Sequence, residues 1–253
     1  MTKPRKIAAG IGAAALVCAV LALGTSGAPR ALAAWTAVAC TIACLAYLLN
    51  RPHWLGKRAG VVSPRALPVW PYLVAFRVAC LAMARWRGPD EPTRVAPGLW
   101  VGGRSTMANL PPEVTVVVDL VAEYAADREI RALPGYRSLP VLDGGVPDDV
   151  EAFAELVGEV AMAAAREVLV HCDSGRGRAP TFAAAVLIVR GQAADPAEAV
   201  AMLRARRPVV APTRSDLLFL AAAMPRLRAL AARAALVVGD AGTAPVDREQ
   251  PVG

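Results

Sequence analysis

The chain has 253 residues, 56% of them hydrophobic and 19% charged, with a mean hydropathy of +0.42; this apolar excess excludes intrinsic disorder over most of the length and points to segments facing lipid. Five cysteines exclude a disulfide scaffold, and two histidines exclude a His-rich metal site; no metal and no cofactor is expected. The net charge of +7 is unevenly held: 11 of the 28 basic residues precede Asp90, the first acidic residue, so residues 1–89 carry +11, and the 17 basic and 21 acidic residues beyond them leave −4.

The basic part is also the apolar part, which favours a lipid bilayer over nucleic acid as its partner. Residues 7–24 and 31–49 are uncharged runs of 18 and 19 residues, near the roughly 20 needed to cross a bilayer. The link Thr25-Ser-Gly-Ala-Pro-Arg30 joins them into a predicted transmembrane helical hairpin over residues 1–65. A cleaved signal peptide over residues 1–27 is the competing reading. Lys3, Arg5 and Lys6 precede the first run, and Arg51, Lys57, Arg58 and Arg65 follow the second, whereas the link holds Arg30 alone. Both termini are therefore expected in the cytoplasm, giving a multi-pass protein of the cell membrane. The apolar stretch 66–84 is interrupted by Pro68, Pro71 and Arg77. It reads as an interfacial helix or one docked on the soluble part, followed by a linker to residue 92.

Beyond the linker the pattern alternates; residues 114–120 read as a strand, and 136–142 as a further candidate. A helix is expected over 148–165, with Asp148 and Asp149 at its capping end, then a strand over 167–172. Helices follow over 180–191, 196–206 and 215–236. Strands alternating with helices imply an α/β fold with a mostly parallel sheet flanked by helices, spanning residues 93–237. The polar tail 238–253 is expected to be disordered.

The chemistry concentrates in His171-Cys172-Asp173-Ser174-Gly175-Arg176-Gly177-Arg178, where a buried strand runs through a glycine-rich turn into a helix. Successive amides of such a turn form an anion nest, and the helix N-terminus adds positive potential. Arg178 can grip phosphate oxygens in bidentate fashion. The same field favours a thiolate on Cys172, the one cysteine outside the apolar third. Asp173, Ser174, Gly175, Arg176 and Gly177 would form the phosphate-binding loop, with His171 supporting it.

This segment resembles the HCxxGxxR signature of the protein tyrosine phosphatase superfamily, and most of all its small dual-specificity branch, over roughly residues 95–225. The resemblance implies a phosphocysteine intermediate on Cys172 and phosphate binding by Arg178, and residues 95–103 are similar to the opening strand of that branch. It also implies a general acid on an upstream loop, where Asp143 matches, with Asp148 the alternative. Asp143-Gly-Gly-Val-Pro147, Arg176 and Glu123-Tyr124 are further similar to the mitochondrial phosphatidylglycerophosphate phosphatases, although Glu123 and Tyr124 also read as ordinary surface residues. Ala179 departs from the Ser or Thr usual after the signature Arg. The implied substrate is a phosphorylated protein or a phospholipid headgroup, and the alternative to turnover is a pseudophosphatase that binds such ligands.

Overall fold

The computed structural model describes residues 2–88, 90–163 and 166–241. Helices α1 (Lys3–Gly24) and α2 (Gly27–Leu48) pair along their length as an antiparallel hairpin. A two-stranded ribbon, β1 (Lys57–Arg58) and β2 (Val61–Val62), then leads through a 3-10 turn into α3 (Trp70–Arg87). The ribbon has two residues per strand, too short for any periodicity in the sequence to reveal. By length and composition, α1, α2 and the segment Pro64–Arg87 are each able to cross a membrane. Leu16, Val17, Val20, Leu21 and Leu23 of α1 are exposed, as befits a lipid-facing surface.

Helix α3 packs Tyr72, Leu73 and Cys80 inward, beneath an outer stripe of Trp70, Val74, Val78 and Leu81. Arg77 faces the soluble domain, with its guanidinium 4.4 Å from the ring centroid of Tyr124. The helix thus docks on the domain through one face and presents apolar side chains on the other.

The segment expected as one strand over 95–103 folds as a hairpin of β3 (Thr93–Ala96) and β4 (Leu99–Gly102), because Pro97-Gly98 turns the chain. The remaining elements are β5 (Val114–Val121), the short α4 (Arg128–Arg131), β6 (Gly135–Val141), α5 (Val150–Met162), β7 (Glu167–His171), α6 (Arg178–Val189), α7 (Pro196–Arg206) and α8 (Arg214–Ala241). The sheet order is β3-β4-β7-β5-β6, parallel except for the β3/β4 hairpin. The α/β fold with a mostly parallel sheet flanked by helices is therefore present. Helix α8 continues through Ala241, beyond the expected start of the tail at 238, and residues 242–253 lie outside the described residues.

The core follows from the sequence. Strand β5 is a β-branched run buried on both faces, as a central parallel strand requires. Helix α6 is buried at every position, and its Phe182 meets Phe153 of α5 edge to face, 5.5 Å between centroids. Three parallel strands end side by side at one rim of the sheet. Cys172 directly follows β7, while Glu123 and Asp143 each lie two residues past the ends of β5 and β6. The rim beyond the carboxyl ends of parallel strands is where such folds build their ligand sites.

Candidate active site

Cys172 is buried, with its amide donating to Gly102 O, and it lines a cavity of about 290 Å3. The loop after it is pinned through its carbonyls. Asp173 O accepts from Arg104 N, Arg176 O from Ala211 N, and Gly177 O from both Thr181 N and Thr181 Oγ1. Gly175 O accepts from Arg207 Nε at 3.4 Å. Among the described residues, no backbone acceptor takes the amides of Ser174 to Gly177. Carbonyls held outward with amides left over form an anion nest. Helix α6 starts at Arg178, two residues earlier than its Pro180 suggests, and so adds its N-terminus to the same point.

Arg178 is buried and held from behind. Its Nη1 donates to Glu123 Oε2 at 3.1 Å and to Val141 O at 2.7 Å, and its Nη2 lies 3.5 Å from Asp143 Oδ1. Burial works against its charge, but Glu123, Asp143 and Cys172 outweigh that and hold its pKa well above the ordinary arginine value. Burial alone would raise the pKa of Asp143; Arg178 and Lys3 beside it outweigh burial and hold it below the ordinary carboxylate value.

The structure brings Asp143, Cys172, Ser174, Arg176, Gly177 and Arg178 to one cavity. Asp149 instead caps α5 through Ala152 N, and Asp148 lies 3.8 Å from His53 Nδ1, so neither joins the cluster. Asp173 turns to Tyr124 OH at 3.0 Å and Arg87 Nη2 at 3.8 Å, which answer its charge beside Cys172. His171 is buried below the loop, 3.8 Å from Asp119, and burial lowers its pKa. Asp119 in turn accepts from Lys57 Nζ at 2.6 Å and Tyr136 OH at 2.7 Å. Lys57, counted above among the basic residues flanking a membrane span, is thus a buried structural cation.

Glu123 and Tyr124 are not surface residues. Both are buried, and Glu123 has no exposed area, because three donors surround its carboxylate. Sequence reading also missed Asp216, which lines the cavity and is joined to Thr213 in a capping box. Thr213-x-x-Asp216 was a legible signal for that box. Burial pushes the pKa of Asp216 up. Lys3 and Arg87 complete a basic rim. A wider groove of about 780 Å3 adjoins through Arg87, Ser174 and Arg176, with Leu81, Ala84 and Val209 among its apolar walls.

Residues 106–235 match the family described as PTP-SAK, the Swiss Army Knife protein, DSP-PTPase phosphatase domain. No curated protein matches the chain. Among solved structures, a single-residue variant of human DUSP28 is similar at 26% identity and a TM-score of 0.45, covering 57% of this chain and 99% of that one. A mouse putative dual specificity phosphatase complexed with zinc tungstate is similar at 24% identity and a TM-score of 0.45, covering 58% and 92%. PTPMT1 in complex with PI(5)P is similar at 22% identity and a TM-score of 0.48, covering 57% and 99%. With its family matched over half its length, on a sheet rim that carries the HCxxGxxR loop, the chain belongs to the DSP-PTPase phosphatase domains.

Proposed function

We propose that this chain is a membrane-tethered, cysteine-dependent phosphatase that hydrolyses phosphate monoesters through a phosphocysteine intermediate. In this reading residues 1–65 are the tether, 66–92 the docking helix and linker, and 93–237 the catalytic domain, which faces the cytoplasm. The observation that carries it is the buried Cys172 in a cavity shared with Arg178 and a loop of unspent amides. The loop amides and Arg178 bind the phosphoryl oxygens. The Cys172 thiolate attacks phosphorus, the ester P–O bond breaks, and Asp143 gives its proton to the departing oxygen. Asp143 then takes a proton from water as that water attacks the phosphocysteine. The P–S bond breaks, releasing inorganic phosphate and restoring the thiolate.

The basic rim of Lys3, Arg87, Arg176 and Arg178, and the partly apolar groove beside it, favour a phospholipid headgroup over a phosphoprotein side chain. Lys3 belongs to the first turn of a helix long enough to span a bilayer, so with that helix across a membrane the cavity would open where lipid headgroups lie.

The test uses the full chain in detergent. Cys172→Ser should abolish turnover of an aryl phosphate while keeping inorganic phosphate binding, because the amides and Arg178 remain. Turnover equal to wild type in Cys172→Ser would overturn the mechanism. Phosphate release from vesicles carrying a monoester lipid, faster than from a phosphopeptide, would support the lipid reading. A second reading, binding without turnover, is favoured by Ala179, which offers no hydroxyl to the leaving sulfur; wild-type protein that binds phosphate but never releases it from an ester would establish that reading instead.

A further inference from the structure

An anchor that only tethered the domain would meet it through apolar side chains. The hairpin here also delivers polar groups to the site. Tyr47, in the last turn of α2, is buried and donates its hydroxyl proton to Glu123 Oε1 at 2.8 Å. The same Oε1 accepts from Asp143 N at 2.6 Å, while Oε2 accepts from Arg178 Nη1 at 3.1 Å. Tyr72 of α3 donates to the Tyr47 hydroxyl at 3.3 Å, which leaves the Tyr47 proton committed to Glu123. Two further contacts reach the loop that bears Asp143. Asn50 Nδ2, just past α2, donates to Val146 O at 3.0 Å. Lys3 Nζ lies 3.2 Å from Asp143 Oδ1, and its stem crosses Gly144, where an added Cβ would stand 2.7 Å from Lys3 Cδ.

We propose that the membrane hairpin is an integral part of the phosphate site: Tyr47 is a positioning residue that, through Glu123, sets where Arg178 and the Asp143 loop stand. The proposal rests on the role given to Arg178 above. Glu123 carries a buried negative charge satisfied by three donors from α2, the Asp143 loop and α6. Removing the α2 donor leaves that charge short of a partner. Glu123 then draws Arg178 closer, and that moves the guanidinium from the place where it meets phosphate. Lys3 and Asn50 fix the other side of the acid loop, so both ends of the hairpin hold one loop.

The experiment keeps the full chain in detergent and uses soluble probes, so that bringing the domain to a membrane contributes nothing. Tyr47→Phe keeps the ring and removes the hydroxyl. It should weaken inorganic phosphate binding about tenfold, and raise KM for an aryl phosphate about as much, with kcat changing less. In a Glu123→Gln background the further effect of Tyr47→Phe should fall within about twofold, because the two residues act as one unit. Phosphate affinity and KM within about twofold of wild type in Tyr47→Phe would make the hairpin a tether and nothing more. Full additivity with Glu123→Gln would also overturn the relay. Should Tyr47→Phe fail to fold, Tyr72→Phe decides, since it leaves Tyr47 in place and removes the hydroxyl donating to it; a rise in KM of about twofold or more supports the relay, and none overturns it. If the wild type turns over no aryl phosphate, the catalytic reading fails, while the phosphate titration still judges the relay.

Discussion

In the proposed mechanism Asp143 must hold a proton when the ester oxygen departs, yet in the free site Arg178 and Lys3 favour its ionised form over the opposing effect of burial. A depressed carboxyl is protonated only toward acidic pH, so kcat/KM for an alkyl phosphate should already fall as pH rises from below the ordinary carboxylate range. Asp143→Asn should remove that limb and slow alkyl phosphates about 100-fold or more, while aryl phosphates with good leaving groups slow far less. A pH–rate profile on both substrates measures this. If alkyl turnover survives the substitution, the proton comes from Asp216, which lines the same cavity and whose burial keeps it protonated to higher pH. Ala179 raises the matching question for the second step. It is buried and has no hydroxyl, and the nearby Thr181 hydroxyl is spent on Gly177 O at 2.9 Å. A charge-assisted hydrogen bond to the departing thiolate is worth about 1.5–3 kcal/mol, or roughly 10–100-fold in rate. Without it, hydrolysis of the phosphocysteine should limit turnover. Rapid mixing with an aryl phosphate should give a burst near one equivalent of enzyme, and Ala179→Ser should shrink the burst and raise the steady rate. Cys172 and Arg178 stand out in the sequence through a local spacing and Asp143 only through the resemblance; the structure brings all three to one cavity. Glu123 was misread as a surface residue because its burial depends on Arg178, 55 residues away, and on Tyr47, 76 residues away. Tyr47 itself stood in an apolar run, where nothing local marks a polar role.

In the proposed reading the unit of function is the passage from β7 through the loop into α6. Its strand and helix were visible as a buried apolar run and a helix with Pro in its first turn. What could not be read is how the loop is braced from outside. Buried Arg207, which follows α7, reaches Gly175 O and also donates to both oxygens of Asp90, at 2.6 and 2.8 Å. Asp90 Oδ2 accepts from Gly103 N at 2.9 Å, so the linker expected to be a mere spacer is stapled to the phosphate loop. Gly175 sits at φ +62°, and a Cβ there would stand 2.7 Å from Gly102 C and Gly103 N. Backbone on the clashing side has no room to yield. Gly175→Ala should therefore cost about 1–3 kcal/mol of stability, read by thermal denaturation. It should also weaken inorganic phosphate binding, since the amides would turn away from a common centre. Retained affinity and an unchanged melting temperature would mean that the loop tolerates a shift the geometry forbids.

At the scale of the molecule, the hairpin, α3 and the domain define one geometry relative to a bilayer. Helices α1 and α2 have 22 residues each, about 33 Å at 1.5 Å per residue, against a hydrocarbon core of about 30 Å. Lys3 at one end and Asn50 at the other both touch the Asp143 loop. Thr25 and Ser26, between the helices, lie at the far end of this antiparallel pair. With the hairpin across a membrane, both its open ends and the cavity lie on one side, and the link at Thr25 and Ser26 lies on the other. The outer stripe of α3, with Trp86 89% exposed beyond it, would rest along the same surface. Charge predicts which side: Lys3, Arg5 and Lys6 at one open end and Arg51, Arg58 and Arg65 at the other, against Arg30 alone at the far end, would put the open ends in the cytoplasm. A reporter active only outside the cytoplasm should be silent when fused after residue 253 and active when inserted beside Gly27. The purified chain should also keep its first residues by mass, since Lys3 cannot reach Asp143 from a cleaved leader. A signal from the C-terminal fusion, or a mass matching loss of α1, would put the catalytic domain on the other face and remove Lys3 from its site.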